Sequence, residues 1–144
     1  MTPTPRLPLA PGVQTLNGAC HCGHIRYQVR VDLGEGTARC NCTWCTKHGW
    51  WSKVVKPEAF TRLSADGEPL PIEPGHTACP HCHVMVYGAG DLPELGGAFV
   101  TFNVNTLEGV DLHGVPIVFL DGLHDTWAFV GQTTYENPFR ALGA

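Results

Sequence analysis

The seven cysteines of this chain fall into three tight clusters: Cys20-His-Cys22, Cys40-Asn-Cys42-Thr-Trp-Cys45 and Cys79-Pro-His-Cys82. Thiols two or three residues apart share one turn and aim their sulfurs at a single tetrahedral ion about 2.3 Å from each. A disulfide framework rarely repeats such short spacings three times, and an odd count leaves one thiol over. The fold must therefore bring turns from distant parts of the chain to common points. Structural zinc sites are closed by four protein ligands, whereas catalytic ones keep a position for water or substrate. Seven thiols divide along the same line. Cys20 and Cys22 with Cys79 and Cys82 would close one site, and Cys40, Cys42 and Cys45 would supply three ligands to a second, with water or a substrate thiol as the fourth. Spacing alone leaves other partitions open. His21, His24, His48, His81 or His83 could complete the triplet's site, and the triplet reads equally as an open catalytic zinc or as a second closed one with a borrowed His or Asp. Iron–sulfur clusters also take four thiolates, but these spacings match neither common ferredoxin pattern, so two zinc ions per chain are expected.

Metal binding agrees with the compartment that the sequence implies. Prolines at positions 3, 5, 8 and 11 break any helical apolar segment at the start of the chain, which reads as an extended, flexible arm rather than a secretory signal. The expected location is therefore cytoplasmic, where thiols stay reduced and clustered cysteines bind metal more often than they pair. A length of 144 residues with 43% hydrophobic content is enough for one domain with its own core. The expected division is an arm over 1–15, a single zinc-binding β domain over 16–135 and a tail over 136–144. Nine Lys and Arg against 13 Asp and Glu give a net charge of −4, which excludes the basic footprint of a nucleic-acid binder. No apolar run approaches the roughly 20 residues that span a bilayer, so neither nucleic acid nor membrane is an expected partner.

Within the domain the pattern is period two. Over residues 24–33, Ile25, Tyr27, Val29, Val31 and Leu33 fall on one face and His24, Arg26, Gln28, Arg30 and Asp32 on the other, which predicts a half-buried antiparallel strand. Further strands are expected over 50–55, 60–63, 83–87, 99–104, 116–120 and 126–130, with turns at 65–69 and at Asp121-Gly122. No segment carries a sustained helical stripe, and Thr106-Leu-Glu-Gly109 allows at most one helical turn. Many short strands punctuated by Gly and Pro predict a mainly β domain, a sandwich or an open barrel.

Three stretches resemble a known family. Gly18-Ala-Cys20-His-Cys22-Gly23-His-Ile25-Arg-Tyr27, Cys40-Asn-Cys42-Thr-Trp-Cys45-Thr-Lys47-His-Gly49 and Ala78-Cys79-Pro-His-Cys82 are similar, in that order, to the motifs of the glutathione-dependent formaldehyde-activating enzymes, a family that includes centromere protein V. Asn103-Val-Asn-Thr-Leu107-Glu and Leu123-His-Asp-Thr-Trp127 fit its ending. The resemblance implies a β-tent of small antiparallel coiled sheets stapled by zinc, with a structural ion on Cys20, Cys22, Cys79 and Cys82 and a second, catalytic one on Cys40, Cys42 and Cys45. It also implies a carbon–sulfur lyase that joins glutathione or another small thiol to an aldehyde, as in S-(hydroxymethyl)glutathione synthesis. The family pattern continues Cys-x-x-Cys-Gly, where this chain has His83, and its linker between the second and third motifs is longer. Glycine there permits positive φ, which His tolerates better than bulkier residues, so either the turn is rearranged or His83 has a role of its own.

A zinc held by three thiolates with an open position can take a fourth sulfur and lower its pKa, so that the thiolate adds to a carbonyl. The alternative is a non-catalytic zinc-stabilised module that binds a partner or carries a thiol. His24 and His48 adjoin the clusters but read as supporting or solvent-facing residues, which leaves the catalytic residues unassigned. Trp44, Trp50 and Trp51 read as core before cleft wall, and Lys47 and Arg26 as solvated surface.

Overall fold

Alternating burial organises the first of the two larger sheets. The computed structural model describes residues 6–142; the outermost parts of the expected arm and tail, residues 1–5 and 143–144, lie outside the described residues. After β1 (Leu7–Pro8), β2 (Gln14–Ala19) turns into β3 (Arg26–Val31). The expected apolar face is fully buried: Ile25, Tyr27, Val29, Val31 and Leu33 all lie in the core, while Arg26, Gln28 and Arg30 face water. The chain continues through β4 (Thr37–Cys40), α1 (Thr43–His48), β5 (Ser52–Val55), β6 (Phe60–Leu63), β7 (Pro69–Leu70) and β8 (Gly75–Ala78). It then forms β9 (Met85–Leu92), β10 (Gly97–Asn103), β11 (Leu107–Glu108), β12 (Val110–Asp111), β13 (Pro116–Asp121) and β14 (Ala128–Thr134).

These strands make a five-stranded sheet, β11-β2-β3-β6-β7, and a seven-stranded sheet, β14-β13-β4-β5-β10-β9-β8, neither of which closes into a barrel. The mainly β architecture is as expected from the sequence. The all-antiparallel pairing is not, because β13 lies parallel to β4, with Leu120 beside Cys40, and β1 lies parallel to β12. Leu7 and Pro8, within the expected arm, are thereby paired to Val110 and Asp111, and β2 begins at Gln14, inside the expected arm boundary. Near the other end, Arg140 Nε donates to the Asp111 carboxylate at 2.9 Å. The single turn allowed over 106–109 forms slightly earlier, as a 3-10 turn over Val104–Thr106, and Leu107–Glu108 pairs instead with Gly18 and Asn17. None of the described helices is long and apolar enough to cross a membrane.

One aromatic cluster joins the sheets. Tyr27 of β3 stacks on Phe60 of β6 at 4.8 Å between centroids, and both reach across to the other sheet, Tyr27 to Phe102 at 5.8 Å and Phe60 to Tyr87 at 5.1 Å. Such ring pairs each contribute roughly 0.5–1.5 kcal/mol beyond their area of burial. The Tyr27 ring lies over Gly18 on the neighbouring strand, where a Cβ would collide with it. Its buried hydroxyl is satisfied by Thr106 Oγ1 at 2.8 Å, and burial pushes the phenol pKa up.

The cysteine pairs occupy the hairpin turns. Cys20 and Cys22 lie between β2 and β3 of one sheet, and Cys79 and Cys82 between β8 and β9 of the other. In the second turn the Cys79 N–H donates to Val84 O and the His83 N–H to Cys79 O, both at 2.9 Å. His83 takes a φ of 67°, so the turn keeps the left-handed residue that glycine usually supplies. The expected strand over 83–87 starts only at Met85 for the same reason. A left-handed residue bearing a Cβ costs roughly 1 kcal/mol relative to glycine. His83→Gly is therefore expected to raise the stability of the metal-loaded protein by about 1 kcal/mol in a denaturant melt, and His83→Val to lower it. Destabilisation by His83→Gly would show that the imidazole, rather than the backbone, is what the turn requires.

Candidate metal centres

Main-chain N–H groups position the sulfurs. In the first centre the Ile25 N–H points at Cys20 Sγ (3.3 Å), and the N–H groups of His81 and Cys82 both point at Cys79 Sγ (3.4 Å each). The sulfurs of Cys20, Cys22, Cys79 and Cys82 all lie within 4.8 Å of one another. Cys22 Sγ is 3.7 Å from Cys20 Sγ and 3.5 Å from Cys79 Sγ. Ligands about 2.3 Å from a tetrahedral zinc stand about 3.8 Å apart, so the spacing and the soft, all-sulfur donor set fit that ion. Since one pair belongs to each sheet, an ion held there would join the two hairpins.

The second centre gathers Cys40, Cys42 and Cys45, again within 4.8 Å of one another. It is built by α1, a six-residue helix that no periodicity foretells. Cys42 caps its start, with Sγ accepting the Cys45 N–H at 3.3 Å, and Gly49 ends it in the left-handed region. The Cys42 N–H in turn points at Cys40 Sγ, 3.4 Å away. Among the described residues no His, Asp or Glu joins these three sulfurs. Nearby, His48 Nδ1 pairs with Trp44 O at 2.9 Å, and His124 Nδ1 with the Asp121 carboxylate at 3.0 Å.

A loop after β13 closes over the triplet. The Asp121 carboxylate accepts from Asn41 Nδ2 (2.9 Å), from the His124 backbone and ring, and from Thr126 Oγ1. Those bonds, the Asn41 one foremost, hold its pKa down at about 2. Asn41 Oδ1 also accepts the Leu123 N–H, so the residue between Cys40 and Cys42 is fastened to the loop at both ends of its amide. Gly122 lies against the cluster, where a Cβ would fall on Cys40 Sγ and within 3.2 Å of the Trp127 ring. From the other side Asn105 Nδ2 donates to Gly49 O at 3.2 Å and bolts down the end of α1. Asn41, Gly122 and Asp121 were not singled out for the site by sequence; the only signals were an amide between two cysteines and a turn dipeptide.

A pocket of about 260 Å³ opens beside the triplet, lined by Arg39, Cys40, Cys45 and Trp50 on one side and by Phe119, Leu120 and Val130 on another. Of Trp44, Trp50 and Trp51, the last two are buried as expected: Trp51 Nε1 donates to Thr37 Oγ1 at 2.6 Å, and Trp50 also lines the pocket. Trp44 is half-exposed and stacks with His76 at 4.3 Å between centroids. Lys47 and Arg26 are exposed and line no part of the pocket. His24 packs edge-on to His81 beside the four-cysteine centre, and both are exposed.

Crowded thiols cannot all ionise together without a cation. The Val84 N–H brings the Cys82 thiol down to about 6, and the Cys45 N–H lowers that of Cys42. Cys20 is lowered too, burial opposing and the Ile25 N–H and its neighbours prevailing. At Cys22 the His24 N–H is outweighed by desolvation and by the adjoining sulfurs, which push it up to about 11. Burial, then Cys42, pushes Cys45 up to about 12.

No family model matches the chain, and no match emerged among curated proteins. Among solved structures it is similar to a protein of Rhodobacter sphaeroides, at 22% identity over 67% of this chain and 91% of that one, with a TM-score of 0.49. A likeness of that size carries no argument about function.

Two outcomes follow from this geometry. Cys22 and Cys45 stay protonated at pH 7, so metal uptake at either centre must displace a proton, and affinity must fall as pH is lowered. An indicator dye at pH 7 is expected to register at least one proton released at each centre; uptake without release would exclude these thiols as ligands. Gly122→Val is expected to abolish metal uptake by the triplet, measured by elemental analysis, while the four-cysteine centre still fills. Full uptake at both centres would show that the loop yields to the new side chain.

Proposed function

We propose that the protein is a zinc-binding carbon–sulfur lyase of the glutathione-dependent formaldehyde-activating kind. In this reading a closed zinc on Cys20, Cys22, Cys79 and Cys82 staples β-tent-like sheets, and Cys40, Cys42 and Cys45 form the reaction centre. The observation that carries it is the triplet itself: three converging sulfurs, no further protein donor among the described residues, and a pocket alongside. Zinc held by three thiolates would supply a charge sink that keeps an incoming sulfur deprotonated at neutral pH.

The chain's own residues do the positioning. The N–H groups of Cys42 and Cys45 orient the sulfurs of Cys40 and Cys42, and the Asn41–Asp121 latch holds Gly122 against the first of them. Phe119, Leu120 and Val130 give the pocket an apolar wall that keeps water from one side of a bound sulfur. The substrate thiolate adds to the aldehyde carbon, forming the C–S bond, and the carbonyl π pair moves to oxygen, which takes a proton from water. The reverse step breaks the C–S bond and frees the aldehyde. Ordinary thiol–aldehyde addition needs no other co-reactant, so positioning and a ready thiolate are what the site contributes.

Exchange NMR of formaldehyde with glutathione tests this. The zinc-loaded protein is expected to accelerate formation and breakdown of the adduct. Cys42→Ala and Cys45→Ala are expected to return it to the uncatalysed rate while circular dichroism stays unchanged. Undiminished acceleration in both variants overturns the reading. So does a lack of acceleration by the unaltered protein, which would leave the non-catalytic module that binds a partner or carries a thiol.

A further inference from the structure

Each of the two larger sheets has two edges, and three of those four edges are guarded. β11 has two residues, one of them Glu108, and β7 has two, the first of them Pro69. β8 has four, and its His76 lies against Trp44. Short length, charge, proline and a covering contact are the usual means by which an edge avoids pairing with another chain. β14 has none of them. Its seven residues, Ala128-Phe-Val-Gly-Gln-Thr-Thr134, include no charge and no proline, and among the described residues its only strand partner is β13. Phe129 and Val130 are 60% and 63% exposed. The bulge in the pairing with β13 twists the strand near Val130 but puts no other strand on its outer edge.

Gly131, at the middle of the strand, is a second and independent indication. Its φ is not positive, and a Cβ there would meet nothing closer than Phe119 Cδ2 at 4.0 Å. Nothing in the described chain therefore calls for glycine, which weakens a strand interior unless another backbone approaches it.

We propose that β14 pairs antiparallel with β14 of a second copy of this chain, about a two-fold axis through Gly131. In that register Val130 faces Gln132 of the second copy, Phe129 faces its Thr133 and Ala128 its Thr134. Every cross-strand pair is thus uncharged, although each chain as a whole carries −4. Aromatic and β-branched side chains, as at Phe129 and Thr133, are favourable cross-strand neighbours. The pairing uses both β14 edges and so closes at two copies. Val130 also lines the pocket beside the triplet, so Gln132 of the second copy adds an amide next to that wall. One strand pair lies at the small end of specific interfaces, below about 1,200 Å² in total, so the dimer is expected to exchange with single chains.

Sedimentation velocity of the metal-loaded protein between about 1 μM and about 1 mM is expected to show one chain giving way to two, and nothing larger. Gly131→Lys and Gly131→Glu each set like charges opposite one another at the axis. Each is expected to raise the midpoint of association at least about tenfold. An equimolar mixture of the two is expected to restore pairing, since opposite charges then meet, with the effect shrinking as salt is raised. A single chain at every concentration overturns the inference and leaves the edge to an extended segment of some other protein. Assembly beyond two copies overturns it too, as does association that neither variant weakens, or a mixture no more associated than its components. Should the variants fail to fold, hydrogen exchange on the unaltered protein decides. The backbone amides of Ala128–Thr134 are expected to exchange more slowly as concentration rises, while those of β7 and β11 do not change; exchange in β14 that is independent of concentration overturns the pairing.

Discussion

Sulfur is a poor hydrogen-bond acceptor, yet in this protein main-chain N–H groups converge on it wherever two cysteines share a turn. The Ile25, His81 and Cys82 amides point at the four-cysteine centre, and the Cys42 and Cys45 amides at the triplet. These contacts fix the sulfurs from the backbone outward, so each centre is shaped by its turn. The consequences spread through the fold. The β2–β3 and β8–β9 turns can meet only if the two sheets lie at one particular offset, and the Tyr27, Phe60, Tyr87 and Phe102 rings fill the space that this offset leaves. Packing and sulfur geometry thus specify the same arrangement, the mutual consistency expected of a sequence with one dominant fold.

How much of this was legible depended on range. Residues 24–33 could be read strand and face together because a period of two over ten residues has no other good solution. Phe60–Leu63 and the turn after it could be read because Asp-Gly and Pro mark the hairpin locally. The division of cysteines into four and three could be read from coordination number, and the same seven sulfurs do gather at two points. The helix Thr43–His48 was not legible, since six residues are too few to show a 3.6-residue period and its start is capped by a thiol in place of the usual oxygen. The parallel match of β13 to β4 was equally hidden, because pairing partners some 80 residues apart leave no mark on either segment. Asn41 and Gly122 acquire their meaning only through that pairing.

The motifs at the end of the chain turn out to be props. Asn103 accepts two N–H groups of Asn105, whose amide then reaches Gly49, while the Val104 N–H donates to Trp51 O. Asp121, His124 and Thr126 make the corresponding frame on the other side of the triplet. Neither group faces the pocket with a free acid or base. Their contribution is to hold three sulfurs and a short helix still, so that a ligand need not pay for ordering them.

The pairing of Cys40 with Leu120, and of Asn41 with Asp121, bears on how the protein is made. At roughly 5–20 residues per second, synthesis separates the two halves of that centre by several seconds. During that interval Cys40, Cys42 and Cys45 have emerged, but the strand and loop that cover them do not yet exist. Three uncovered thiols close together are open to oxidation and to premature capture of soft metals. The cell's thiol-reducing capacity would then matter to this protein at birth, before any question of its activity arises.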